Sequence, residues 1–153
     1  SISDIKAMPV IDKGLVIAIS FSGRLVAIDQ RSGARVWQRE IGGVNTPWLA
    51  GDNLFVLSEN NDLVALGRDN GAIRWVTKMP RFKDKEPILM TGPVMAGGRL
   101  LVFDNNGIVY ELSPDTGKSL RQWDSGYNTV LSPVIAGGIL YVLSDDGSLS
   151  AYK

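Results

Sequence analysis

Short apolar runs alternate with clusters of Gly, Asn and Asp along the whole 153-residue chain. The runs hold four to six residues and are rich in Val, Ile, Leu and Tyr: Leu15 to Ile19, Leu25 to Ile28, Leu54 to Leu57, Leu63 to Leu66, Leu100 to Phe103, Ile108 to Leu112, Ile139 to Leu143 and Leu149 to Tyr152. Runs of this length and composition, bounded by turn formers, predict β-strands. Ala96-Gly97-Gly98-Arg99 and Ala136-Gly137-Gly138-Ile139 predict hairpins, because glycine takes the positive φ that such turns require. Asp104-Asn105-Asn106-Gly107 and Asp145-Asp146-Gly147 predict the turns that follow.

The strands form a repeat. A proline, two apolar runs and a Gly/Asp turn recur in that order four times, with Pro9, Pro47, Pro93 and Pro133 spaced 38, 46 and 40 residues apart. In the first two copies a further strand ends in Trp37 and Trp75, and Leu120 to Trp123 takes that place in the third. A four-stranded meander of roughly 40 residues, repeated, predicts β-propeller blades. The expected fold is an all-β partial propeller of three full blades and an incomplete fourth, at about 7–41, 44–78, 91–125 and 130–153, and half of an eight-bladed ring. The missing strand of the fourth blade would come from Ile2 to Lys6 or, in the favoured reading, from upstream sequence. An open half-ring exposes edges and blade faces, which predicts self-association to complete a ring or marginal stability.

Composition narrows the chemistry. The 16 basic and 16 acidic residues cancel, which argues against nucleic acid as the main partner. There is no His and no Cys, so His-based acid–base catalysis, Ser-His-Asp and Cys-His pairs, common zinc sites and disulfides all drop out. The opening Ser1 predicts a processed or truncated product. Each turn supplies one or two carboxylates with no Asp-x-Asp-x-Asp-Gly run, so calcium loops are not expected. No catalytic residue, cofactor or small-molecule substrate is expected.

Between the third and fourth strands lies Ala27-Ile28-Asp29-Gln30-Arg31-Ser32-Gly33-Ala34-Arg35-Val36-Trp37. The second copy, from Ala65 to Trp75, has Gly67 for the Asp and keeps Gly71. The third keeps Gly117 but has Arg121 at the Trp position, with Trp123 two residues on. In this reading the glycines make left-handed turns, Asp29 bonds turn amides, and Trp37 and Trp75 seal one blade against the next. The motif resembles that of the pyrroloquinoline-quinone (PQQ) type of propeller blade, Ala-x-Asp-x-x-(Thr/Ser)-Gly-x-x-x-Trp. Within that group the run Ser3 to Val10, the stretch Leu25 to Asn45 and the ending Asp146 to Lys153 resemble the C-terminal half of the BamB family of outer-membrane assembly lipoproteins.

That resemblance implies a non-enzymatic scaffold that binds the periplasmic POTRA domains of BamA. It implies a place on the periplasmic face of the outer membrane, with a lipid anchor upstream of this chain. Asp4 falls where the family carries a contact acid, and Lys6 stands where a second acid is expected. The second candidate contact is the long link between Trp75 and Pro93, whose residues 78–87 carry Arg81, Phe82 and Lys83, with Met79 and Phe82 as apolar anchors. The alternatives are a fragment of a PQQ-dependent quinoprotein dehydrogenase and a ligand-sensing propeller domain of a receptor.

Overall fold

The structure, a computed structural model, describes residues 7–126, 134–136, 139–143 and 149–152, so Asp4 and Lys6 lie outside the described residues. The chain divides into two compact units, Ser1–Lys78 and Met79–Lys153.

Unit 1 holds two sheets. The first is β1 (Val10–Asp12), β2 (Leu15–Ile19), β3 (Leu25–Asp29) and β4 (Arg35–Arg39); the second is β5 (Trp48–Ala50), β6 (Asn53–Leu57), β7 (Asp62–Gly67) and β8 (Ile73–Lys78). Each is antiparallel, with its strands in sequence order. Unit 2 holds a two-stranded hairpin, β9 (Phe82–Lys83) with β10 (Glu86–Pro87). It also holds a four-stranded sheet, β11 (Met90–Ala96), β12 (Arg99–Asp104), β13 (Ile108–Leu112) and β14 (Ser119–Asp124). Its last sheet has three described strands, β15 (Val134–Ala136), β16 (Ile139–Leu143) and β17 (Leu149–Tyr152).

Period-two alternation decides the packing in unit 1. Ile17 pairs with Ala27 and Ile19 with Leu25, all on one face of the first sheet. Leu54 pairs with Leu66 and Val56 with Val64 on the second sheet. These residues and Trp37 form one buried cluster, edged by Leu15, Ile41 and Leu49. The outer strand β8 is mostly exposed, and β4 buries Trp37 alone, consistent with their Arg, Gln and Lys content. In β11 the register shifts between Thr91 and Val94, so Pro93 stands at a bulge where no ladder N–H is required.

The motif turn has one geometry in all three copies. Gly33 N bonds Asp29 O at 2.9 Å, Gly71 N bonds Gly67 O at 2.8 Å, and Gly117 N bonds Ser113 O at 2.8 Å. The three glycines have φ of 73°, 68° and 75°. Side chains finish the turn differently each time. Asp29 Oδ1 accepts from the Arg31 amide, the Ser32 amide and the Ser32 hydroxyl. With Gly67 in the Asp position, Asn70 Oδ1 takes the Ala72 amide at 2.9 Å. In the third copy Ser113 and Thr116 hydroxyls accept the Asp115 and Lys118 amides.

The Ser32 amide, then the Ser32 hydroxyl, hold the Asp29 carboxyl below its ordinary value. A lowered pKa favours the fold above the unfolded value of about 4 and loses that contribution as pH falls through the folded one. Thermal melts from pH 5 to pH 2 should therefore show a gap between the parent chain and Asp29→Asn that is open at pH 5 and closes at the acid end.

Candidate docking surface

Loops leave each sheet at two opposite ends, and the links between sheets share an end with particular turns. In unit 1, Gly43 N bonds Ser20 O at 3.1 Å and Glu59 N bonds Gly42 O at 2.9 Å, tying the link to the β2–β3 and β6–β7 turns. At the other end Gln30 N bonds Gly14 O and Arg68 N bonds Asp52 O. In unit 2 the link meets the β12–β13 turn: Asn105 N donates to Leu89 O and Leu89 N donates to Asn105 Oδ1, both at 3.0 Å.

That link is built, not slack. Lys83 pairs with Glu86 and Phe82 with Pro87 across a two-residue turn, Asp84-Lys85. Both turn residues have positive φ, 49° and 68°, the conformation that such hairpins usually give to Asn-Gly. The Ile88 amide closes the base on Arg81 O at 2.8 Å. Met79, Ile88 and Met90 are buried on either side of the hairpin. Met79 therefore belongs to the foundation and not to the exposed anchor expected of it, because the chain must enter the hairpin from the packed sheet. Phe82 is 65% exposed and Leu89 is 64% exposed. Arg81, Lys83 and Lys85, with Asp84 and Glu86, are exposed along the same segment. The short, braced hairpin and its base thus present two exposed apolar side chains among charged residues of both signs.

The acids of the turns are placed less freely than their number suggests. Asp104 is buried; its Oδ1 accepts the Asn106 and Ile108 amides at 2.8 and 3.0 Å, and its Oδ2 accepts the Tyr110 hydroxyl at 2.8 Å. Glu59 is exposed and Asp62 half-buried, while the turn at 145–147 lies outside the described residues. Among the described residues no three Asp or Glu side chains gather as a metal-holding group.

The seam in unit 1 places the motif residues together. Trp37 is buried and its Nε1 donates to Arg68 O at 2.7 Å. Its ring lies against Gly71, where a Cβ would come within 2.6 Å of Cδ2 and Cε3. Arg39 Nε bonds Gly71 O and its Nη2 bonds Asn70 O. Trp75 is half-buried, with its ring centroid 6.0 Å from that of Phe55. Sequence reasoning missed Arg68, which is buried and reaches back to the first sheet: Nη1 bonds Asp12 Oδ2 at 2.6 Å and Nη2 bonds Asp12 O at 2.9 Å. An open groove of about 320 Å³ beside it is lined by Lys13, Asp29, Asp52, Arg68 and Asp69, but Arg68 and Asp29 are already engaged within the fold.

The third copy rewires the seam. The cross-strand pairs Ala27–Trp37 and Ala65–Trp75 become Glu111–Arg121. Glu111 is buried and accepts from Arg99 and from Trp123 Nε1, with Arg121 Nε 3.6 Å away. Arg121 also lies 5.6 Å from the Trp123 ring centroid. A buried carboxylate needs such partners, and Arg99, Arg121 and Trp123 supply them here.

These sheets and their seam define a partial β-propeller, and comparison with known proteins places it among assembly factors. A family model described as outer membrane protein assembly factor BamB matches residues 1–77 and 81–153. The chain belongs to the BamB family. It is 33% identical over 153 residues to BamB of Salmonella typhimurium and 32% identical over 151 residues to BamB of Escherichia coli K12, covering 98% and 97% of this chain. It spans 37% of the length of each of these relatives.

Among solved structures, BamB from Moraxella catarrhalis superposes with a TM-score of 0.83 at 23% identity, over 97% of this chain and 43% of that one. The computationally designed Ika4 protein gives 0.77 at 14% identity, over 97% of this chain and 89% of that one. Quinohemoprotein alcohol dehydrogenase from Comamonas testosteroni gives 0.66 at 21% identity, over 78% of this chain and 21% of that one. These structural likenesses speak for the fold alone.

Proposed function

We propose that this chain is a non-catalytic docking module of the outer-membrane β-barrel assembly machinery, acting at the periplasmic face of that membrane. Its partner in this reading is the POTRA domains of BamA, and its lipid anchor lies upstream. The observation that carries the proposal is the β9–β10 hairpin. Exposed Phe82 and Leu89 sit on a braced element whose two turn residues hold left-handed backbone without glycine. A rigid element loses little conformational entropy on binding, and an aromatic anchor among charged residues is the usual composition of an interaction hot spot. Asp4 and Lys6 are proposed as a second contact from the family resemblance. Membership of an assembly-factor family and the absence of His and Cys both support a scaffold over a dehydrogenase.

The test is binding of this chain to purified BamA POTRA domains by calorimetry. Phe82→Ala and Lys83→Glu should each weaken binding on the order of tenfold or more, with the thermal midpoint unchanged because both side chains are solvent-exposed. No binding, or binding indifferent to both substitutions, would remove the hairpin from the interface. A rise in thermal midpoint with PQQ and calcium would instead favour the dehydrogenase reading.

A further inference from the structure

The strands β4, β8 and β14 are the outer edges of the three four-stranded sheets. Such an edge offers unpaired backbone N–H and C=O groups to another extended chain, and proteins blunt it with charged or polar side chains. Register makes the three edges comparable. The positions that pair Ile28 with Arg35 and Val26 with Gln38 in the first sheet pair Leu66 with Ile73 and Val64 with Val76 in the second. In the third they pair Leu112 with Ser119 and Tyr110 with Gln122. The same two edge positions therefore hold Arg and Gln on β4, Ile and Val on β8, and Ser and Gln on β14.

The first edge is blunted twice. Arg35 Nη1 donates to Gln38 Oε1 at 2.8 Å, and Arg39 Nη1 donates to the Gln38 carbonyl at 2.8 Å. Val36 and Leu120, the exposed apolar residues of β4 and β14, fall at bulges outside the paired register. On β8 the paired positions themselves are apolar, and Ile73 is 52% and Val76 49% exposed. Their cross-strand partners Leu66 and Val64 are buried in the cluster of unit 1, so the two carry that apolar face out to the edge. Among the described residues no strand pairs with the outer side of β8. β8 is the last strand of a complete sheet in the middle of the chain, so neither end of the sequence makes this edge.

We infer that the β8 edge docks an extended segment of a partner protein, with apolar residues at alternate positions and carboxylates among the others. Backbone pairing along β8 supplies the affinity, and Ile73 and Val76 favour apolar residues on the matching face of the incoming strand. Charge decides the occupant. β8 carries Arg74 and Lys78 and no acid. A second copy is disfavoured, because the antiparallel register that brings Val76 onto Val76 sets Arg74 of each strand opposite Lys78 of the other. An acidic segment meets complementary charge at the same positions. The inference uses neither the hairpin nor POTRA binding.

The experiment titrates the 153-residue chain with a short synthetic peptide in which Val alternates with Thr and Glu, read by calorimetry and hydrogen exchange. On the unmodified chain the peptide should slow exchange at β8 and leave β4 and β14 unchanged. The double variant Ile73→Ser, Val76→Gln copies the neutral pair of β14 onto β8 and should weaken binding by about tenfold or more. Its circular dichroism should be unchanged, since both side chains are about half exposed. The peptide with Lys in place of Glu should also bind about tenfold more weakly. The peptide with every backbone nitrogen methylated cannot donate to β8 and should not bind. No binding of the acidic peptide up to millimolar concentration overturns the inference. Binding that survives the double variant or the methylation, or slowed exchange elsewhere than β8, overturns it equally. A doubled mass in light scattering without peptide overturns the choice of occupant and gives the edge to a second copy.

Discussion

Gly71→Ala should destabilise unit 1 by about 3–5 kcal/mol, and Gly33→Ala by only about 1–2 kcal/mol. The two glycines occupy the same turn, with φ of 68° and 73°, so an alanine meets the same left-handed strain in each. They differ in what stands over them. At Gly33 nothing lies within 4 Å of the added Cβ, whereas at Gly71 the Cβ would lie 2.6 Å from two atoms of the Trp37 indole. That ring cannot withdraw cheaply. It is buried in the cluster with Leu54, Val64 and Leu66, and its Nε1 is fixed to Arg68 O. Displacing it forfeits much of what Trp37→Ala would, which for a buried aromatic is about 3–5 kcal/mol. Urea unfolding followed by circular dichroism measures both variants. Equal losses would mean that the seam does not depend on the indole seat. A Trp37→Ala, Gly71→Ala double variant should lose only about 1–2 kcal/mol beyond Trp37→Ala, the left-handed strain that Gly33→Ala also carries, because the clash partner has gone.

This seam also shows how much the sequence could disclose. The motif glycines, the Asp29 turn and the Trp positions are local, and each follows from what a residue type can do within a few residues of itself. The strands are legible for the same reason, since short apolar runs bounded by Gly, Asn and Asp need no knowledge of partners. The pairing of Arg68 with Asp12 is not legible. The two are separated by 56 positions, and no pattern in either neighbourhood requires the other. The hairpin is hidden for a different reason. Residues 81–87 have no alternation of apolar and polar residues, and the turn is Asp84-Lys85, where the usual signal would be Asn-Gly. A charged link of that composition reads as a loop, and only the burial of Met79 and Ile88 around it makes it an element. The Glu111–Arg121 exchange lies between these cases. The loss of Trp at 121 is plain in the sequence, but its compensation through Arg99 and Trp123 depends on side-chain reach.

Asp104→Ala should cost about 3–4 kcal/mol and loosen the docking hairpin without touching it. The carboxylate is buried and satisfies three donors at once, the Asn106 and Ile108 amides and the Tyr110 hydroxyl. Hydrogen bonds to a charged acceptor are worth about 1.5–3 kcal/mol each, and the solvent reached through the turn recovers part of the sum. Tyr110→Phe removes one of the three and should cost about 1–2 kcal/mol, less than Asp104→Ala because the two amides keep their acceptor. Burial, reinforced by the bond to Asp104, pushes the Tyr110 phenol above its ordinary range. A raised folded pKa contributes stability below the unfolded value of about 10 and loses it as pH rises through the folded one. The parent chain should therefore lose stability steadily above pH 10, and Tyr110→Phe should flatten that limb. Asn105, one residue beyond Asp104, holds Leu89 by two reciprocal bonds, so a disordered turn releases the base of the hairpin. Hydrogen exchange should then speed at the Ile88 and Leu89 amides in Asp104→Ala while β2 and β3 of unit 1 keep their protection. Unchanged exchange at Leu89 would separate the hairpin from the turn and make its rigidity a property of residues 79–90 alone.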